Sequence, residues 1–508
     1  MEYWTIILAI LVGLFAIYYF FTEEDFFVKH GIPHTKPLFL FGNMAKVIFR
    51  RTTFVEHMVD IYNIHKEAKY VGCYDFTYPV LMIRDLELIK NIAVKNFDHF
   101  TDHRNFTDPD LEPLFGNNLF SLRGDKWRGI RNLLTPAFTS SKMKAMFKLM
   151  SKCAETFSNS LNEQCSMKSI EFNSKDIFTR YTNDAIATCA FGIAVDSMKD
   201  PNNEFYVLGK RATNFEGIKS LKFFIARSFP MFAKIFRMKL IDTEVEDFFY
   251  KLVSDTIKAR DEQGINRPDM IQLMMETRGN KSDSKTPELT IESMTSQAFI
   301  FFFGGFDSTA TLMCFVAHQI AICPEVQKKL QIEIDQVMEK CNGEPTYEAI
   351  NNMEYLDAVI NETMRLYPAG AFIDRLCTKN YELPPTLPGA KPVMLKPGDN
   401  VWFGVWPMQR DPQYFSDPET FNPNRFMGDA KTNFNQNAYM PFGVGPRMCI
   451  GNRFALLETK VLFLYLLAKF DITTGKKMLL PMRLSKSTFN LMAEGGFWLD
   501  LKPRKSSN

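Results

Sequence analysis

The stretch PFGVGPRMCIG, residues 441–451, puts three glycines and two prolines into eleven positions. So many breakers exclude both helix and strand there. Directly afterwards Ile450, Phe454, Leu457, Val461 and Leu464 recur at helical spacing, which predicts a long helix over about 450–470. Cys449 therefore lies near a helix N-terminus, where unpaired N–H groups and the helix dipole favour a thiolate. Gly443, Gly445 and Gly451 permit close backbone approach or positive φ. Phe442 is placed to shield the sulfur, and Arg447 offers a cation two residues away. A thiolate in a dry, donor-rich loop is what a haem iron with an axial cysteine requires. For a lone cysteine the competing reading is a buried structural residue in a turn. A phosphate-binding loop is excluded, because no Gly-Lys-Ser/Thr follows.

A chain of 508 residues suits two or three domains or one large globule, and 46% apolar residues suffice for a large core. Phenylalanine, with 48 copies, suits apolar cavities as well as packing. A formal charge of +2 argues against bulk attraction to nucleic acid. The nine cysteines form no CxxC pair and do not combine with the seven histidines at zinc spacing. The eight other than Cys449 read as reduced residues of a reducing compartment.

WTIILAILVGLFAIYYFF, from Trp4 to Phe21, carries no charge and is near the shortest length that spans a bilayer. It has neither the basic start nor the small-residue cleavage site of a signal peptide, so residues 1–24 are expected to be a retained membrane anchor. The charge rule gives no vote on its orientation, since acidic TEED follows and Lys29 comes late. Residues 25–45 read as a proline-rich hinge, and 46–508 as one catalytic body. Residues 69–83 predict a short strand pair, and PEVQKKLQIEIDQVMEK (324–340) a helix opened by proline. Residues 396–406 predict an extended segment, followed by irregular coil to about 448. The expected fold is mainly α with small β-sheets, an α+β body.

The order Phe442, Gly445, Arg447, Cys449, Gly451 resembles the haem-ligand loop of the cytochrome P-450 superfamily. Three further stretches fit the same resemblance in the family's order. ETMR sets Glu362 and Arg365 on one helix face and is similar to the family's ExxR motif; alone it would read as a solvated ion pair. FNPNRF supplies Arg425, which the resemblance makes the third member of a structural Glu-Arg-Arg cluster. GDKWRGIRNLLTPAF sets Trp127 and Arg131 at i and i+4, similar to the WxxxR pair that meets a haem propionate. FIFFFGGFDSTATLMCF has two glycines in an apolar helix, each costing roughly 1 kcal/mol relative to alanine. The resemblance makes this the oxygen-groove helix, with Asp307 and a neighbouring hydroxyl delivering protons. Where the family has threonine after the acid, this chain has Ser308, with Thr309 next, about 100° further round the helix.

The resemblance implies haem b bound through Cys449, with electrons from an NADPH-dependent cytochrome P-450 reductase, cytochrome b5 being a second donor. It implies one oxygen atom of O2 inserted into a lipophilic small molecule, at the cytosolic side of the endoplasmic reticulum membrane. LTPAFTSSKMKAMF is similar in texture to the microsomal branch that metabolises xenobiotics, insecticides and plant toxins, including many insect members. Alternatives are an endogenous lipid or hormone hydroxylase, an enzyme rearranging a peroxide or oxime, and a non-catalytic haem-thiolate sensor. Substrate contacts are expected from Phe115, Phe120, Phe301 to Phe306, Ala369 to Ile373 and Phe489 to Met492. KFFIARSFPMF (222–232) is equally suited to core packing and to dipping into a membrane.

Overall fold

The computed structural model describes residues 7–8, 11–15, 26–105, 107–165, 169–215, 217–267, 269–278, 289–487 and 491–504. Most of the expected anchor lies outside these residues. Its described part, 7–8 and 11–15, is helical, and Ile7, Leu8, Leu11, Val12, Leu14 and Phe15 are all exposed. Nine strands occur among the described residues: β1 Tyr70–Asp75, β2 Tyr78–Ile83, β3 Ile170–Asn173, β4 Ile373–Leu376, β5 Tyr381–Leu383, β6 Val393–Leu395, β7 Asn400–Phe403, β8 Phe470–Thr474 and β9 Trp498–Pro503. The chain divides into two compact units.

The first unit comprises Met1–Arg104, Ala371–Met408 and Val444–Pro446. β1 and β2 form the expected pair, antiparallel with Tyr70 opposite Ile83, and the chain reverses through Phe76 at φ 59. β7 runs parallel to β2 and antiparallel to β4, so the sheet order is β1-β2-β7-β4. β5 and β6 pair separately. Helix α1, Phe54–Tyr62, begins at a capping box between Thr53 and Glu56 and buries Val55, Met58 and Ile61.

The second unit comprises Asn105–Gly370, Gln409–Gly443 and Arg447–Asn508. Its long helices are α2 Gly124–Leu134, α3 Ser140–Cys165, α4 Ser174–Ile186, α5 Thr243–Gln263, α6 Ile291–Ile322, α7 Pro324–Lys340, α8 Glu354–Leu366 and α9 Asn452–Lys469. α7 covers the predicted residues with Pro324 at its first position, and α9 starts two residues later than expected. α6 is apolar and long enough to cross a membrane, yet it is mostly buried within this unit against α4 and α5. Its own Phe299 and Phe302 and, elsewhere in the unit, Phe178, Phe191 and Phe249 are fully buried, which accounts for part of the phenylalanine content. β3, β9 and β8 form a three-stranded antiparallel sheet.

From Gln409 to Gly443 the second unit holds only short 3₁₀ turns. These turns are fastened to α8 by buried charge. Arg365 binds Glu362 twice, at 2.8 and 2.9 Å, and both side chains are fully buried. The remaining guanidinium donors reach the carbonyls of Gln409 at 2.8 Å, Pro418 at 2.7 Å and Thr420 at 3.3 Å. Glu362 also accepts from the Asn422 backbone at 2.9 Å and stands 3.5 Å from Arg425. Arg425 in turn donates to Ser416 O at 2.7 Å.

Glu362→Ala should leave two guanidinium groups without their counter-charge and cost about 3–5 kcal/mol, measured by denaturant unfolding. A second test concerns Glu458 on α9. It is fully buried, and among the described residues neither carboxylate oxygen has a hydrogen-bond partner. Burial raises its pKa well above 4.5. Its contribution to stability is therefore full below pH 4.5 and is lost as pH rises toward the folded-state value. Glu458→Gln should flatten a decline of up to about 1.4 kcal/mol per pH unit, read from unfolding midpoints over about pH 5–8.

Candidate active site

Cys449 is the one exposed cysteine of the nine. Its N–H donates to Phe442 O at 2.9 Å, which closes the loop over Gly443 to Met448. Enclosure by protein atoms pushes the thiol pKa up, while the Gly451 N–H and the Arg131 guanidinium pull it down. Arg131 feels the reciprocal effect: desolvation lowers its pKa and Cys449 raises it. The sulfur thus has one backbone donor and one cation near the start of α9, the donor set a thiolate ligand needs.

The glycines of the loop differ in role. Gly443 and Gly445 have φ of 88 and 74, whereas Gly451 has an ordinary φ of −89 and caps α9. A Cβ on Gly445 would collide with the Ala93 carbonyl oxygen within the first unit. Arg447 is not held in reserve for an external anion alone. It donates to the carbonyls of Phe120 at 3.2 Å and Leu122 at 2.6 Å, and its guanidinium lies 4.1 Å from the centre of the Trp127 ring. Trp127 and Arg131 share one face of α2, as their spacing requires, but they serve different neighbours.

On α6 the helix is continuous through both glycines. Nothing lies within 4 Å of a Cβ placed on Gly304, whereas one on Gly305 would stand 3.2 Å from Ile186. Gly304 and Ser308 are both exposed, one turn apart, and the Ser308 hydroxyl donates to the Gly304 carbonyl. Thr309 is buried, with 2% exposure. The two hydroxyl candidates are therefore separated: Ser308 is on the open face and Thr309 in the packing. Asp307 is 24% exposed and pairs with Lys175 of α4 at 2.8 Å. Lys175 also donates to the Asp307 carbonyl at 3.0 Å and to Thr311 at 2.7 Å, and Thr182 donates to the Phe306 carbonyl at 2.8 Å.

The aromatic candidates sort similarly. Phe115 packs on Phe299 and Phe303, both at 5.2 Å, and Phe215 contacts Phe115 at 6.3 Å and Phe303 at 5.9 Å. Phe301 packs instead on Phe138, and Phe302 and Phe306 are buried beside Phe205 and Tyr206. Phe120 is exposed. Ala371 is buried in the first unit, and of the segment 489–492 only 491 and 492 are among the described residues.

Two residues escaped the sequence analysis. Lys175 had no local signal, being 132 positions from Asp307. Arg375 carried a weak one, two adjacent charges inside an apolar strand. It is fully buried in the first unit, donates to Asp374 O at 2.7 Å and to Val444 O at 3.0 Å, and its Nε–H has no partner among the described residues. Burial lowers its pKa to about 10. Such a donor suits an anionic carboxylate oxygen, and, within the second unit, the Gly451 N–H and Arg131 beside the Cys449 sulfur fit a haem thiolate.

A cysteine at a helix start, with a glycine-bearing apolar helix in the same unit, is the pattern of the haem-thiolate class. The family model for Cytochrome P450 matches residues 32–498. Cytochrome P450 9e2 of Blattella germanica is 42% identical over 525 residues, covering 98% of this chain and 96% of that protein. Probable cytochrome P450 9f2 of Drosophila melanogaster is 41% identical over 496 residues, covering 95% and 96%. Cytochrome P450 6j1 of Blattella germanica is 35% identical over 501 residues, covering 98% and 97%. The chain belongs to the cytochrome P450 family. It is a haem-thiolate monooxygenase that binds haem b through a cysteine thiolate and works with a redox partner on lipophilic substrates.

Gly445→Ala forces a side chain into positive φ at a cost of about 1–2 kcal/mol before the collision with Ala93 is counted. It should lower both the thermal midpoint and the haem content of purified protein. Gly451→Ala, at an ordinary φ, should change neither by a comparable amount.

Proposed function

We propose that this chain is a membrane-anchored monooxygenase of lipophilic xenobiotics, with Cys449 as the axial ligand and electrons from NADPH through a reductase. The observation that carries the reading is Cys449 itself: exposed, at the start of α9, with Gly451 N–H and Arg131 beside its sulfur. Haem, when bound there, supplies the activation of dioxygen for insertion of one oxygen atom into substrate. Arg131 and the Gly451 N–H favour the thiolate form of the sulfur, against the burial that raises its pKa. Phe442, through its carbonyl, and Arg447, through Trp127 and the 119–122 carbonyls, fix the loop that presents it. Gly445 lets that loop pass close to Ala93.

Ser308 is the proton-delivering hydroxyl of this reading, because it shares the open face with Gly304, while Thr309 packs in the core. Asp307 is the acid, partly open to solvent and held by Lys175. The half-buried rings of Phe215 and Phe303, with Phe115, provide an apolar wall for a lipophilic substrate.

Two apolar surfaces support membrane association, through residues 1–24 as anchor with 25–45 as hinge, and through a second patch. In the second unit, helices Ile218–Ser228 and Pro230–Ile235 expose Ile218 (71%), Met231 (74%) and Ile235 (70%), together with Phe232 and Phe236. Lysines 219, 222 and 234 lie among them, as in a segment that lies on a lipid surface. The endoplasmic reticulum, cytosolic side, is the proposed location. Lys126 is exposed beside Trp127 and Arg128, a basic site suited to an acidic reductase or cytochrome b5.

The carbon-monoxide difference spectrum of the reduced protein tests the ligand: a strongly red-shifted thiolate band is expected, and Cys449→Ala should abolish it. Ser308→Ala should keep the band and raise peroxide formed per NADPH consumed several-fold with reductase present. Thr309→Ala should leave that ratio near wild type. A higher ratio in Thr309→Ala than in Ser308→Ala would reverse the assignment.

A further inference from the structure

Glu112 directly precedes the short helix Pro113–Gly116, and it is 2% exposed. It does not face its own chain neighbours. Its Oε1 accepts from the backbone N–H of Leu240 and, at 3.1 Å, from that of Ile241, just before α5. Alongside it, Lys234 pairs with Asp108 at 2.9 Å and Asp110 at 3.4 Å. Both connections join residues 108–112 to residues 234–241, the end of the exposed apolar segment. On its other side the same segment is tied to α6, through Ser296 to Pro113 O at 3.2 Å and Gln297 to Asn117 O at 2.9 Å. Phe115, three residues after Glu112, is the ring this segment contributes to the Phe115–Phe215–Phe303 cluster.

We propose that Glu112 is a positioning residue for substrate: it latches the 108–117 segment to Leu240 and Ile241, and ligand exchange across the aromatic cluster requires that latch to release. The inference rests on the reading above, in which substrate meets the Gly304–Ser308 face. The latch has a direction in pH. Burial raises the Glu112 pKa to about 7, against 4.5 for an exposed carboxyl. The two backbone donors and Lys239 lower it, and Glu246 of α5 raises it. Lys239 and Glu246 themselves pair at 2.7 Å, and Lys222 donates to the Lys239 carbonyl. Asp108 and Asp110 are engaged by Lys234, and Tyr250 of α5 interacts in turn with Glu246 and with Glu292 of α6. An open latch places Glu112 in water, where it ionises readily. Opening is therefore favoured as pH rises from 4.5 to about 7 and levels off above.

The test uses the full-length haem-loaded protein and a phenyl-substituted imidazole, whose binding to haem is followed by its spectral shift. Its release rate from wild type should rise about fivefold between pH 6 and 7 and only about twofold between pH 7 and 8. Glu112→Gln keeps the acceptor oxygen and removes the titration, so its release rate should be flat. Lys239→Met should carry the rise to higher pH, a displacement that a purely structural Glu112 would not produce. Hydrogen exchange gives a readout independent of haem: corrected for chemical rate, the Leu240 and Ile241 amides should open faster with pH in wild type and not in Glu112→Gln. The same pH dependence in wild type and Glu112→Gln, with normal carbon-monoxide bands, overturns the latch and leaves the monooxygenase reading standing. A wild-type protein with a normal band and no shift on adding the imidazole overturns the ligand route across the aromatic cluster, and the latch with it, while the monooxygenase reading stands.

Discussion

The buried ion pair between Glu362 and Arg365 is the constraint on which the second unit's irregular stretch depends. Residues 409–443 have no ladder of their own and lead directly into the cysteine loop. Their carbonyls at 409, 418 and 420 are satisfied by one guanidinium, which only a fully paired arginine supplies at such depth. Replacing the pair by apolar side chains would recover desolvation energy and yet abandon three carbonyls and the Asn422 N–H. The pair is retained for the geometry it imposes, because a coil without secondary structure can hold a thiolate in place only if something rigid holds the coil.

α6 carries the opposite kind of constraint. Its apolar rings at 299, 302 and 306 are committed to packing, and its open face is made by what is absent, the side chain of Gly304. The partners on α4 then decide how the polar residues are used. Lys175 engages Asp307, and Thr182 takes the Phe306 carbonyl, so two side chains from a neighbouring helix fix the charge and the backbone beside the open face. Chemistry on such a helix is set as much by the helix it leans on as by its own sequence.

What could be read in advance was local. α7 opens at Pro324 because proline is pre-organised for a first turn, and the β1–β2 pair follows from its aromatic and β-branched residues. Cys449 was legible because its glycines and prolines are contiguous. The partners of these features were not. Lys175, Glu112 and the carbonyl clasp of Arg447 join residues more than 120 positions apart, and no spacing in a single chain encodes them. The rotation between Ser308 and Thr309 was known, but which one faces outward depends on where α4 and α5 sit. The first unit, gathered from three stretches of chain, has no mark in composition at all.

The burial of α6 has a consequence for biosynthesis. A 32-residue segment of this hydropathy leaves the ribosome with the length and composition of a bilayer span. The helices that cover it, α4 and α5, precede it in sequence and are already made when it emerges. Its apolar surface can therefore be covered by helices already made, and a slowly folding variant of α4 or α5 would leave exposed a segment apolar enough to aggregate or insert into lipid.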